Sequence, residues 1–224
     1  CSCQTNELTF PLSDRQRKRY CERVVHHTRS YLTDMTDRVI VGVTGATGQA
    51  YAISALQLLD ETDVEVHLIV SDAAKVTLPQ ETDYTTSELL AHGDVVHDID
   101  NIGAKTASGS FRTEGMLVTP CSMKTLAAVA HGYSGNLITR SADVMLKERR
   151  PLVLMPRETP FNRIHLENML TITDAGGIIV PPFPAFYQHP DSIDEMVRTT
   201  MKRALSQLGV DLDYEEWDGV GASP

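Results

Sequence analysis

The chain has 224 residues, 42% hydrophobic and 22% charged, which suits one soluble globular domain with a single substantial core. A formal charge of −10 argues against a nucleic-acid partner, whose phosphates demand basic patches, but leaves room for a small anion held by a local cationic cluster. No run of about 18 apolar residues is present, so a membrane-spanning helix is excluded.

Three of the four cysteines, Cys1, Cys3 and Cys21, fall in the first 34 residues, and only Cys121 lies beyond them. No disulfide framework supports a fold on that spacing, which suits a reducing cytoplasm. Ser13-Asp14 could cap a helix over residues 15–31, but its apolar stripe of Tyr20, Val24 and Val25 is thin and a loosely docked, flexible arm is favoured. Met35 stands directly before an apolar strand. Residues 1–34 are therefore expected to be an N-terminal extension, residues 35–224 one domain, and Met35 an alternative start.

From Arg38 onward the pattern is regular. Apolar runs of strand length occupy 39–43, 64–70, 116–118, 152–155 and 177–180. Helix-period segments lie at 49–59, 125–130, 137–148 and 163–172, and a last helix follows a cap at Asp191 or Ser192 and ends at Gly209. Strand–helix alternation with continuous apolar strands predicts a parallel sheet covered on both faces, with ligands beyond the carboxyl ends of the strands.

Gly42, Gly45 and Gly48 punctuate the turn after the first strand, where backbone N–H groups and a helix start can approach an anion. The spacing is not the dinucleotide fingerprint, and the second strand ends in Ser71 rather than an acid, so a nicotinamide cofactor is disfavoured. A second candidate cradle, Ser122 to Thr125, also opens a helix at a strand end; an ordinary N-cap is the alternative. Further on, Arg140 and Lys147 are two helical turns apart and share a face, either as solvated charges or as an anion grip. An apolar strand then runs into Arg157-Glu158 between two prolines. An arginine there can fork onto a phosphate, and a glutamate can exchange a proton if burial raises its pKa. A structural ion pair is the alternative. His165, on one helix face with Met169, suits capping or packing, and the stiff loop 181–187 offers aromatic rings and the Tyr187 hydroxyl.

In the order in which they occur, these segments resemble the UbiX family of flavin prenyltransferases from residue 38 to about 217, most specifically at 43–48, Glu81-Thr82-Asp83, Ala107-Ser108-Gly109-Ser110, 137–147, 152–169 and 181–187. The resemblance implies a three-layer α/β, Rossmann-like (flavodoxin-like) fold with a parallel sheet, and a homododecamer with active sites between subunits. It implies transfer of a dimethylallyl group from dimethylallyl phosphate to N5 and C6 of reduced FMN, giving the prenylated FMN that a UbiD-type decarboxylase requires. FMN contacts are then expected at Gly45, Ala46, Thr47, Ser71, Ser122, Met123, Lys124, Thr125 and Arg157, with the FMN phosphate near the glycine turn. Arg140, Lys147, Tyr187 and Arg203 would hold the ester phosphate, while Glu158, Glu81 and Thr47 would serve the chemistry. Many bacterial members carry Ser at the Thr47 position, and Arg203 sits in an otherwise ordinary amphipathic helix. No metal is expected, since the Asp-rich motif of isoprenyl diphosphate enzymes is missing from the sequence. An FMN-dependent cysteine-type decarboxylase of the same fold and a non-catalytic flavin-binding subunit are the rivals; neither accounts for the Arg-Glu and Lys clusters.

Overall fold

In a computed structural model of the chain, the described residues are 37–213 and Gly219; the expectations for residues 1–34 lie outside them. Among the described residues six strands form one sheet: β1 Arg38–Val43, β2 Glu65–Val70, β3 Val95–His97, β4 Gly115–Cys121, β5 Leu152–Pro156 and β6 Ile178–Ile179. All neighbours pair in parallel in the order β3-β2-β1-β4-β5-β6, the Rossmann order of a doubly wound sheet. The described helices are α1 Gln49–Leu59, α2 Asp72–Glu81, α3 Thr86–Ala91, α4 Met123–Ala130, α5 Leu137–Lys147, α6 Arg163–Asp174 and α7 Ile193–Ser206.

Strand alternation divides the core in two. Val39, Val41 and Val43 pack with α1, α2, α3 and α7, whereas Ile40, Met116 and Leu154 pack with α4, α5 and α6 on the other face. This is why β1 and β5 read as unbroken apolar runs. Leu117 and Leu154 are fully buried, and truncating either to Ala should cost about 2–5 kcal/mol.

Three elements escape the apolar periodicity: α2, α3 and β3. Their burial is slight, only Ala74 and Leu78 in α2 and Leu89 in α3, and β3 is a three-residue edge strand. Caps define the two helices instead. Ser71 Oγ accepts from Ala74 N at the start of α2, and Thr85 with Glu88 forms a capping box on α3. β4 runs on to Cys121 through a register shift around Pro120.

Candidate active site

β1 and β4 are neighbours, but the helices that follow them leave on opposite faces, which opens a crevice at their carboxyl ends. Hydrogen bonds to main-chain groups stitch its rim. Thr44 Oγ1 donates to Pro120 O (2.6 Å) and accepts from Ser122 N (2.8 Å), joining the glycine turn to the second cradle. Ser71 N donates to Val43 O (2.9 Å) and Arg157 N to Cys121 O (3.1 Å). The buried Gln49 amide donates to Thr44 O (2.9 Å) and Ala46 O (2.8 Å), tying the turn down from below. A Cβ at Gly45 would stand 2.4 Å from Ala73 Cβ, so only glycine lets this turn lie against α2.

The start of α1 is not an open anion cradle, contrary to the expectation that the FMN phosphate sits there. Glu81 Oε2 accepts from Gly48 N (2.7 Å) and Gln49 N (2.9 Å), so the chain's own carboxylate takes the helix donors. Partial desolvation would raise the Glu81 carboxyl, but hydrogen bonds from Thr47, Gln49 and Gly48 and the charge of Arg157 outweigh it and hold it below the usual range. Glu81 is thus an ionised anchor that ties Thr47 to the start of α1, within the field of Arg157. Tyr51, which the sequence did not single out, lies over Gly48, where a Cβ would meet its ring at 3.0 Å; burial raises its hydroxyl, partly offset by Arg157.

Across the crevice, Ser122 Oγ caps α4 by accepting from Thr125 N (3.3 Å) and lies 3.1 Å from Thr125 Oγ1. Ser71 Oγ and Ser122 Oγ each use a lone pair to cap the helix that follows. Met123 is half-buried and Lys124 exposed. Behind this cradle a cavity of about 490 Å³ is lined by Lys124, Thr125, Tyr133, Asn136 and Thr139. Nothing in the sequence flagged Tyr133; Asn136 is legible only as the N-cap of α5.

The expected phosphate-binding residues do not converge within one chain. Arg140 and Lys147 lie on α5, in one helical layer, and Arg203 on α7, in the other, with the sheet between them. Lys147 ends α5 near the amino end of β5, about 10 Å along the helix from Arg140. Arg140 donates from Nε to Ala107 O (3.3 Å) and from Nη1 to Asp143 (2.6 Å), and Lys147 pairs with Glu148. Tyr187 is 46% exposed beside the exposed Phe183 and Phe186. Glu158 is also exposed and accepts from its neighbour Thr159 N (3.0 Å), so this chain alone does not supply the burial expected of it. His165 caps α6 with Asn162, as its position suggested. Among the described residues no group of His, Cys, Asp or Glu is arranged to hold a metal ion, and no helix is long and apolar enough to cross a membrane.

The donor set at the rim, four hydroxyls (Thr47, Ser71, Ser122, Thr125) with the Arg157 guanidinium, suits a phosphate-bearing, hydrogen-bonding ring system. The comparisons agree in kind. A family model described as Flavoprotein matches residues 27–204. Flavin prenyltransferase UbiX of Neisseria meningitidis serogroup B is 52% identical over 187 residues, 83% of this chain and 99% of that one. The crystal structure of AnUbiX (PadA1) in complex with FMN and dimethylallyl pyrophosphate is 48% identical, covers 83% of this chain and 99% of its own, and superposes with a TM-score of 0.80. A dodecameric FMN-dependent UbiX-like decarboxylase from Escherichia coli O157:H7 is 48% identical, with coverage of 82% and 100% and a TM-score of 0.78.

Proposed function

The chain belongs to the UbiX flavin prenyltransferase family, and from that premise we propose that it transfers a dimethylallyl group from dimethylallyl phosphate to N5 and C6 of FMN. The observation that carries this is the gathering of Thr47, Glu81 and Arg157 at the crevice, in a chain that matches, over 83% of its length, a structure holding FMN and dimethylallyl pyrophosphate. Reduced FMN supplies the nucleophilic ring atoms, and the prenylated product serves a UbiD-type decarboxylase.

Everything else falls to the chain. Gly45, Ala46, Thr47, Ser71, Ser122 to Thr125 and Arg157 hold and orient the flavin across the strand ends. The ionised Glu81 keeps Thr47 in place and can accept a proton, whereas Glu158, exposed in one chain, needs a covering subunit to act as an acid. Arg140, Lys147, Tyr187 and Arg203 stabilise the ester phosphate as the allylic C–O bond breaks. Because α5 and α7 lie on opposite faces of the sheet, these four meet only if neighbouring copies share a site. Assembly into a dodecamer gives that arrangement, and the exposed Ile164, Leu166 and Leu170 on α6 and Phe183 and Phe186 beyond it are apolar surface for such contacts. A cytoplasmic location fits the buried, free Cys121.

Anaerobic incubation of the protein with reduced FMN and dimethylallyl phosphate should yield a heavier flavin by mass spectrometry. An unchanged FMN mass with folded, flavin-loaded protein defeats the proposal, and a decarboxylated cysteine-type substrate would install the rival.

A further inference from the structure

The densest polar cluster away from the rim lies where the amino ends of β1 and β2 meet the edge strand β3. His67 is 1% exposed. Its Nε2 is 2.9 Å from Glu65 Oε1 and its Nδ1 is 2.8 Å from His97 Nε2. The other Glu65 oxygen accepts from Arg38 Nε at 2.9 Å. A carboxylate that only accepts fixes the direction of this chain. His67 must carry its proton on Nε2, leaving Nδ1 as the acceptor for His97 Nε2–H.

Phe111 links the cluster to the loop that precedes β4. Its ring stands edge-on to His67 (centroids 4.8 Å apart, 68° between planes) and lies under the Arg38 guanidinium at 5.4 Å. The same loop is gripped from α5 and just beyond it. Arg150 donates to Phe111 O (2.6 Å) and Gly109 O (2.8 Å), and Arg140 to Ala107 O (3.3 Å). Gly109 passes directly beneath Lys147, where a Cβ would come within 2.6 Å of Nζ.

We propose that His67 and His97 are positioning residues for the prenyl-phosphate donor: through Phe111 they fix the loop over residues 107–111, and the loop fixes Arg140 and Lys147. This rests on the assignment of Arg140 and Lys147 to the ester phosphate. The physical argument is one of hydrogen-bond direction. Removing the His97 donor orphans a buried ring nitrogen of His67 and frees His67 to turn, and Phe111 loses the edge it packs on. Arg140 then loses one of the two partners that aim its guanidinium. Protonating the pair has the same effect, because two N–H groups would face each other. Arg38 from β1 and Lys105 from the turn beside the loop oppose protonation, Glu65 favours it, and burial dominates, so both histidines are held below their ordinary range.

The test uses the flavin-loaded enzyme and three variants. His97→Ala should raise KM for dimethylallyl phosphate roughly five- to tenfold, with kcat and FMN affinity within about twofold. His97→Gln keeps an N–H donor and should restore KM to within about twofold of the parent. Phe111→Ala should match His97→Ala although it leaves the histidine pair intact. Amide exchange at Ser108–Phe111 in the flavin-free protein should quicken about tenfold in His97→Ala and Phe111→Ala but not in His97→Gln. Unchanged KM and unchanged exchange in folded His97→Ala overturn the proposal, as does a His97→Gln variant as impaired as the alanine. If His97→Ala does not fold, Phe111→Ala carries the same decision. If Arg140→Ala leaves KM unaltered while loop exchange still quickens in His97→Ala, the phosphate assignment fails and the coupling of histidines to loop stands.

Discussion

The carboxyl-end rim and the 105–111 loop both handle anions in the proposed reaction, yet they are held by opposite means. At the rim the main chain does the holding: Val43, Thr44, Pro120, Cys121 and Arg157 are joined through backbone groups, with Gln49 and Glu81 locking the turn. At the loop, side-chain cations from α5 and beyond grip the main-chain oxygens of Ala107, Gly109 and Phe111, and a buried histidine pair supports the ring of Phe111. At the rim only Glu81 is ionisable among the groups that hold the turn, and it protonates only in acid, whereas at the loop the histidine pair lies closer to neutrality. In the proposed reaction the rim would be a preformed seat for the flavin, and the loop would steady the side chains proposed to grip the phosphate.

The largest expected effect separates chemistry from both scaffolds. Glu158→Gln should retain FMN but lose about 100-fold or more in turnover, read in single-turnover experiments with purified, loaded protein. Turnover at the parent rate would remove Glu158 from the mechanism. Next, the two regions should fail differently. Arg140→Ala or Lys147→Ala should raise KM for dimethylallyl phosphate about 10- to 100-fold and spare FMN affinity, whereas Arg157→Ala should weaken FMN first, as titrations of flavin fluorescence would record. A common defect in all three would erase the distinction between seat and clamp.

The smallest effect is the response to acid. In the folded chain both His67 and His97 titrate below the usual histidine value, chiefly because of burial. As pH falls below about 6.5 the unfolded chain takes up protons first, so stability is full above that value and declines as pH drops through the folded values. Glu81, also shifted down, adds a separate loss at lower pH, where its carboxylate is finally protonated. Melting curves between pH 7 and 5 should fall by roughly 2–4 °C in the parent and flatten in the His67→Gln/His97→Gln double variant. An equally steep fall in the double variant would locate the acid response elsewhere.

Much of this was legible in the amino-acid order. Unbroken apolar strands such as 39–43 and 152–155 require cover on both faces, and helix-period segments between them require a doubly wound parallel sheet; glycine and hydroxyl residues at the strand ends mark the rim. These features are local, repeated and periodic, so a one-dimensional pattern carries them. Elements stabilised by caps rather than by apolar burial, α2, α3 and β3, left no such trace. Nor did any pairing of distant residues. That Glu81 would fill the start of α1, 32 residues earlier in the chain, that His67 would meet His97 in the next strand, and that Arg203 would lie across the sheet from Arg140 depend on sheet register and on which face each helix covers. Those are decided only when all the strands pair at once, because a contact between residues far apart in sequence has no signature in either segment alone.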